Sequence, residues 1–125
     1  MKKVHKSDKA PAPLGPYSQA IEANGFVFLA GQIPIDPKTN EVVLGDIETQ
    51  AKLVMNNIKA VLESAHLTFQ NVVKTTIYLI NMNDFAAVNE VYGRYFKEQP
   101  PARSTIAVQA LPKGVHVEIE VLAKR

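Results

Sequence analysis

Ala20-Ile21-Glu22-Ala23-Asn24-Gly25-Phe26-Val27-Phe28-Leu29-Ala30 is the stretch whose reading decides the fold. Two short strand-forming runs flank Asn24-Gly25, the pair best suited to the two φ > 0 positions of a type I′ turn, so the segment is a β-hairpin. Upstream, the prolines of Ala10-Pro11-Ala12-Pro13-Leu14-Gly15-Pro16 remove backbone donors and fix φ. That segment is expected to run extended, with ordered structure beginning after it. Downstream, residues 31–40 carry Pro34 and Pro37 and read as a strand exit and loop, after which Glu41-Val42-Val43 adds a short strand.

From Asp46 the apolar residues Ile47, Ala51, Val54, Ile58, Val61 or Leu62, and Ala65 keep helical spacing. Asp46 is placed to cap this helix, and Glu48 sits in its first turn, where the dipole favours negative charge. The helix ends near His66. Residues 72–80 are rich in β-branched side chains and include Tyr78, as expected of a strand inside a sheet. Asp84 then caps a second helix with buried positions Phe85, Val88, Tyr92 and Tyr95 or Phe96, stopped by Pro100-Pro101. Residues 103–111 and 116–123 are two final strands around Pro112-Lys113-Gly114, again hairpin-like. The order β-β-(β)-α-β-α-β-β makes an α+β fold with a single mixed β-sheet and both helices packed on one face, since two helices cannot cover both sides. Phe26 to Leu29 and Ile77 to Ile80 are apolar on both faces, so a second apolar surface needs burying, and self-association is the natural solution.

A chain of 125 residues fits a single domain spanning 1–125, which buries roughly two thirds of the surface its unfolded form exposes. Apolar residues at 46% and charged residues at 21%, with no biased tract, are globular values rather than those of a disordered chain. The absence of cysteine excludes disulfides, thiolate zinc sites and a cysteine nucleophile, and fits the reducing cytoplasm. Met1-Lys2-Lys3-Val4-His5-Lys6 is basic, but Ser7-Asp8-Lys9 follows where a signal peptide needs an apolar stretch, so no export signal is expected. The longest apolar run, residues 26–30, is too short to span a bilayer. With a net charge of +2, lysines and arginines are scattered among almost as many acids. The nearest cluster, Lys2, Lys3, Lys6 and Lys9, reads as a solvated N-terminal tail, so nucleic acid is not an expected partner.

His5, His66 and His116 have no HExxH-type pairing, so no metal site is expected. Neither GxGxxG nor GxxxxGK[ST] occurs, so no nucleotide cofactor is indicated. Ser104 beside Arg103 lacks a GxSxG elbow and a positioned histidine. What remains is the C-terminal pair of strands. Even positions of residues 104–110 and odd positions of residues 116–121 form the apolar sets, and pairing them places Arg103, Thr105, Gln109, His116, Glu118 and Glu120 together on the face away from the helices. On pattern alone, such a strip is a solvated or salt-bridged surface. It also holds the parts for hydrolysis of a C=N bond: an arginine fork grips a small carboxylate, and a carboxylate holds or deprotonates a water.

Gly15-Pro16-Tyr17-Ser18-Gln19, Ala30-Gly31-Gln32-Ile33-Pro34, Asp84-Phe85 with Val88-Asn89 and Tyr92, Pro101-Ala102-Arg103-Ser104, and Leu111-Pro112 with Val117-Glu118-Ile119-Glu120 resemble, in this order and spacing, the RidA (reactive intermediate deaminase, YjgF-like) family. The resemblance covers nearly the whole chain. It implies a chorismate-mutase-like fold, a homotrimer with a central barrel, active sites in clefts between subunits, and no cofactor. It implies hydrolytic deamination of 2-aminoacrylate/2-iminopropanoate and 2-iminobutanoate to 2-keto acids and ammonia, which protects pyridoxal-phosphate enzymes. By matching motif, Arg103 would bind the substrate carboxylate and Glu118 would position the attacking water. Tyr17, the Gly31 amide, Asn89 and Thr105 would line the pocket. Thr105 stands where the family frequently has cysteine and Ala30 where it frequently has serine; Thr105 keeps a hydroxyl that can hydrogen-bond, and Ala30 does not.

Two other classes stay open on the residues alone. One is a non-catalytic regulatory module binding a small carboxylate, with Arg103 as anchor and Glu118 structural. The other is an endoribonuclease or translation inhibitor, for which no basic patch interleaved with aromatics is visible. Counting along the expected hairpin separates Arg103 from Glu118 by roughly 13 to 20 Å, so a working site is expected to take them from different subunits.

Overall fold

A computed structural model describes residues 1–125. The elements are β1 (Lys3–His5), β2 (Ala20–Ala23), β3 (Phe26–Leu29), β4 (Ile35–Asp36), β5 (Glu41–Val42), α1 (Ile47–Ser64), β6 (Val72–Leu79), α2 (Phe85–Gly93), β7 (Ala102–Ala107) and β8 (Val117–Lys124). Six strands form one mixed sheet in the order β1-β2-β3-β8-β6-β7, and β4 and β5 form a separate ribbon. The Asn24-Gly25 turn forms as its residues dictate: φ is 53° at Asn24 and 78° at Gly25, and β2 pairs antiparallel with β3, Ile21 opposite Phe28.

Helix α1 starts where Asp46 accepts a hydrogen bond from the Thr49 amide at 2.8 Å. Its buried stripe of Ala51, Val54, Ile58, Val61 and Leu62 belongs to one core with Ile77 and Leu79 of β6 and Val117, Ile119, Val121 and Ala123 of β8. Each of the larger side chains contributes about 1.5–3 kcal/mol by leaving water, so this layer dominates stability. Both helices lie on this one face. The other face leaves Val4, Phe28 and Ile106 about half exposed, so the expected second apolar surface is present in the isolated chain. No helix is long and apolar enough to cross a membrane.

Four expectations need correction. The last two strands do not form a hairpin. β6 lies between them, pairing parallel with β7 and antiparallel with β8. Helix α2 carries the chain back to the start of the sheet, which makes the β6–β7 pair parallel, and β8, apolar on its helix-facing side, takes a central place against β3. Ordered structure also begins before the prolines: β1 pairs with β2, His5 opposite Ala20. His5 Nε2 lies 2.7 Å from Glu22, whose carboxylate also accepts from the Arg125 guanidinium at 2.8 and 3.0 Å, tying both chain ends together. Asp84 makes no side-chain cap; Asn81 caps a preceding 3-10 turn by accepting from Asn83 N at 2.8 Å. Finally, α2 ends at Gly93, ahead of Pro100-Pro101, as Phe96 turns back onto Tyr92 and Phe69 with ring centroids 4.7 and 5.2 Å apart.

Candidate active site

Along β8 the odd positions face the helices, so Glu118 and Glu120 project from the open face. Strand β3 pairs Phe28 with Leu122 and then leaves the ladder; the chain rejoins β8 at Gln32 opposite Ile119, one residue out of step. Gly31 lies in that irregularity. Its missing side chain is required, because a Cβ there would overlap the Glu118 carboxylate and lie 3.0 Å from its carbon. The Gly31 amide makes no hydrogen bond within the chain and remains a free donor.

Glu118 and Gly31 line a cavity of about 320 Å³ with Tyr17, Gln32, Ile33 and Pro112. The Tyr17 hydroxyl accepts from the Leu14 amide at 3.1 Å, which sets the ring at the cavity wall. Buried Gln19 holds that wall by bonding Ser7 and Pro11 backbone groups. Burial raises the Glu118 carboxyl above the ordinary carboxylate range, and the charge of Glu120 pushes it the same way.

The second group of residues assembles around α2. Phe85, Asn89 and Tyr92, at i, i+4 and i+7, present one stripe to the start of β7. Arg103 Nη1 donates to Asn89 Oδ1 at 2.7 Å, and the guanidinium carbon lies 5.0 Å from the Tyr92 ring centroid and 5.5 Å from that of Phe85. Tyr92 is fixed in turn by a 2.7 Å bond between its hydroxyl and Thr75 Oγ1, and Thr75 stands beside Arg103 in the parallel ladder. No carboxylate of the chain pairs with Arg103. Thr105, two residues on, has a buried hydroxyl with no partner.

These two groups occupy opposite faces of the sheet, which corrects the expectation of one shared strip. The ladder sets Arg103 beside Thr75 and Thr105 beside Ile77, both helix-facing, whereas Glu118 stands beside Tyr78 on the open face. Inserting β6 between β7 and β8 produces the difference. The Cα atoms of Arg103 and Glu118 are two strands and three residues apart, roughly 14 Å. Gln109 lies beyond the end of β7, and the His116 amide is engaged with Gln50 at 2.9 Å. Phe85 and Tyr92 both read as buried in the sequence; Tyr92 is buried in the core, whereas Phe85 is exposed at the end of the stripe, and their spacing with Asn89 was the available sign of a shared face.

The family model described as "Endoribonuclease L-PSP" matches residues 7–125. The chain belongs to this family, the RidA (YjgF-like) family. Among RidA-family proteins it is 56% identical over 123 residues to the RutC family protein PH0854 of Pyrococcus horikoshii, covering 98% of both chains. It is 44% identical to the 2-iminobutanoate/2-iminopropanoate deaminase of Mus musculus, covering 98% of this chain and 91% of the mouse protein. The crystal structure of YyfA from Yersinia pestis, a protein of unknown function of the conserved Rid family, superposes with a TM-score of 0.97 at 50% identity over the full length of both.

Proposed function

We propose that this RidA-family chain is a hydrolytic deaminase of small 2-imino acids, 2-iminopropanoate and 2-iminobutanoate with their enamine forms, acting as a homotrimer whose sites lie between subunits. The observation that carries the reading is a pair of unfinished half-sites on opposite sheet faces: a cavity with a half-buried carboxylate, and a caged guanidinium without a counterion. A second copy covering the apolar open face would bring its Arg103 to this chain's Glu118. The name of the mouse relative supports the substrate class.

In the proposed reaction Arg103 clamps the substrate carboxylate by its planar fork, and the Gly31 amide and Thr105 hydroxyl fix its orientation. Glu118 accepts a proton from water as the water oxygen bonds to C2, and the C=N electron pair moves to nitrogen. The proton returns from Glu118 to nitrogen to give the carbinolamine. Glu118 then takes the carbinol O–H proton and passes it to nitrogen as the O–H electron pair forms the C=O bond and the C–N bond breaks, so ammonia leaves and C2 becomes a ketone. The step needs only water, a base and a charge clamp. It would serve the cytoplasm, where pyridoxal-phosphate dehydratases release these reactive imines.

The test couples a threonine or serine dehydratase to the protein and follows 2-keto acid formation where spontaneous imine hydrolysis is slow. Acceleration is expected. No acceleration removes the deaminase reading, and carboxylate binding retained without turnover would leave a regulatory binding module. Subunit composition is tested by mixing Arg103→Ala and Glu118→Ala proteins under exchange. Random trimers restore about a quarter of the interfaces, and with them the activity; no recovery despite exchange would place both residues in one working chain.

A further inference from the structure

The open face carries a second carboxylate beside Glu118. Glu120 follows two residues later on β8, so the two acids project from the same side roughly 7 Å apart. Tyr78 stands directly opposite Glu118 in the β6–β8 ladder. Its hydroxyl nevertheless bypasses Glu118 and donates diagonally to Glu120 Oε1 at 2.6 Å. One acid is thereby pinned by a short charge-assisted bond, while Glu118 receives no side-chain hydrogen bond from its own chain. Within the chain nothing neutralises the pair: neither acid forms an ion pair, and Lys74, the cation on that face of β6, donates to Ser104 Oγ at 3.2 Å instead.

We propose that Tyr78 and Glu120 are positioning residues for Glu118: Tyr78 locks the Glu120 carboxylate in place, and that fixed negative charge makes Glu118 a stronger proton acceptor. The proposal rests on reading Glu118 as the group that takes the proton from water. Two like charges on one strand face disfavour ionisation of the second, and the effect is screened least at a half-buried group. Tyr78 suits the task because the bond to Glu120 raises its own hydroxyl above the ordinary phenol range, so it stays a neutral donor at physiological pH. The titratable groups around Glu118 are Tyr78 on β6, Glu120 on β8, His116 just ahead of β8, and Tyr17 across the cavity; the third flank, Gly31 and Gln32, is uncharged. Among them Glu120 is the one other carboxylate, and the Tyr78 bond fixes it in place. A weaker base at this position would have to abstract the proton at a cost in rate, which gives the acid pair a chemical purpose that a merely structural contact would not have.

The test titrates the Glu118 carboxyl carbon by NMR in glutamate-labelled protein, assigned through Glu118→Gln, and measures the pH profile of kcat/KM. In Glu120→Gln the Glu118 midpoint and the acid limb of the profile are expected to move together to lower pH. Above that limb kcat/KM is expected to fall about three- to tenfold, as expected of a weaker base. Glu120→Asp, which keeps the charge, restores both; Tyr78→Phe, which deletes one oxygen and keeps the fold, moves both part of the way. A Glu118 midpoint unmoved in Glu120→Gln and in Tyr78→Phe overturns the proposal, as does an activity loss with an unmoved acid limb. The titration needs no turnover, so an inactive wild type overturns the functional reading separately from the coupling.

Discussion

One methyl group added at Gly31 separates the chemistry of Glu118 from the stability of the fold. Gly31 is not among the residues with positive φ, so alanine brings no backbone strain there, and the effect of Gly31→Ala is one of space alone. The new Cβ would overlap a Glu118 carboxylate oxygen and lie 3.0 Å from Cδ and 3.3 Å from Cγ, where ordinary contact begins at 3.4 Å. The group that gives way is the end of a flexible side chain. Moving it off its preferred rotamer costs about 0.5–1.5 kcal/mol, small against a total stability of about 5–15 kcal/mol. The carboxylate must nevertheless retreat by about 1 Å, and a misplacement of that size in a reacting constellation costs about 10²-fold in rate. The expected outcome is a fall in kcat/KM of about 100-fold in the dehydratase-coupled assay with unfolding lowered by only a few degrees. Near-wild-type kcat/KM would mean that Glu118 does not act from beside Gly31. A stability loss beyond about 3 kcal/mol would mean that the glycine serves the fold rather than the carboxylate.

Arg103→Lys keeps the charge but loses both the planar fork and the stacking on Tyr92 and Phe85, so steady-state kinetics should show kcat/KM lower by about 30- to 100-fold. Glu118→Gln should lose about 10²- to 10⁴-fold in turnover yet unfold at a higher temperature than wild type at neutral pH. The sign follows from the raised carboxyl: the folded chain holds its proton above the ordinary value of 4.5, so wild-type stability falls as pH rises through that window, and the neutral amide escapes the penalty. Glu22 has the opposite sign. The Arg125 bond, and next the His5 bond, lower its carboxyl from 4.5 to about 2, so its contribution is complete above pH 4.5 and is lost as pH falls toward 2. Glu22→Gln should therefore unfold more readily at neutral pH and show a flatter acid dependence in that window, read by denaturant unfolding across pH.

What was legible in the sequence is what local chemistry decides. Asn24-Gly25 fixes a turn through its own φ angles, and Asp46 with the stripe from Ala51 to Leu62 fixes the start and buried face of α1. Partner choice was not legible in the same way. Residues 103–111 and 116–123 look like a hairpin because a Pro-Lys-Gly turn joins them, yet the backbone spends that turn on a 3-10 bend with Lys113 at φ 58°. The Val108 amide instead bonds Leu79 O at 2.8 Å, continuing the parallel pairing. A helix set between two strands was the available sign of a crossover. β1 was invisible for another reason: three residues with one buried side chain carry no periodicity, and their pairing depends on the open edge that β2 offers.

The same distinction governs the site. Arg103 and Glu118 were readable as chemistry because their side chains suit a carboxylate clamp and a base, but the face each occupies follows from ladder register, which a single strand does not reveal. Setting both on one face left room for a single chain to hold a substrate by long reaches. With Arg103 facing α2 and Glu118 facing the open side, a molecule only a few Å long would have to pass through the sheet to meet both. The proposed junction of two copies avoids that passage, and the places of the two half-sites are compatible with it. Arg103 lies on β7, the edge strand, where no further strand of the chain blocks its approach. Glu118 lies beside the exposed Phe28 and Ile106 face, the surface with most to gain by being covered. Thr105, with its buried hydroxyl unpaired beside Arg103, adds a polar cost that an incoming ligand would relieve. An isolated chain thus carries three separate deficits, a free cation, an unpaired hydroxyl and an uncovered apolar face, and the proposed association around a small carboxylate would answer all of them at once.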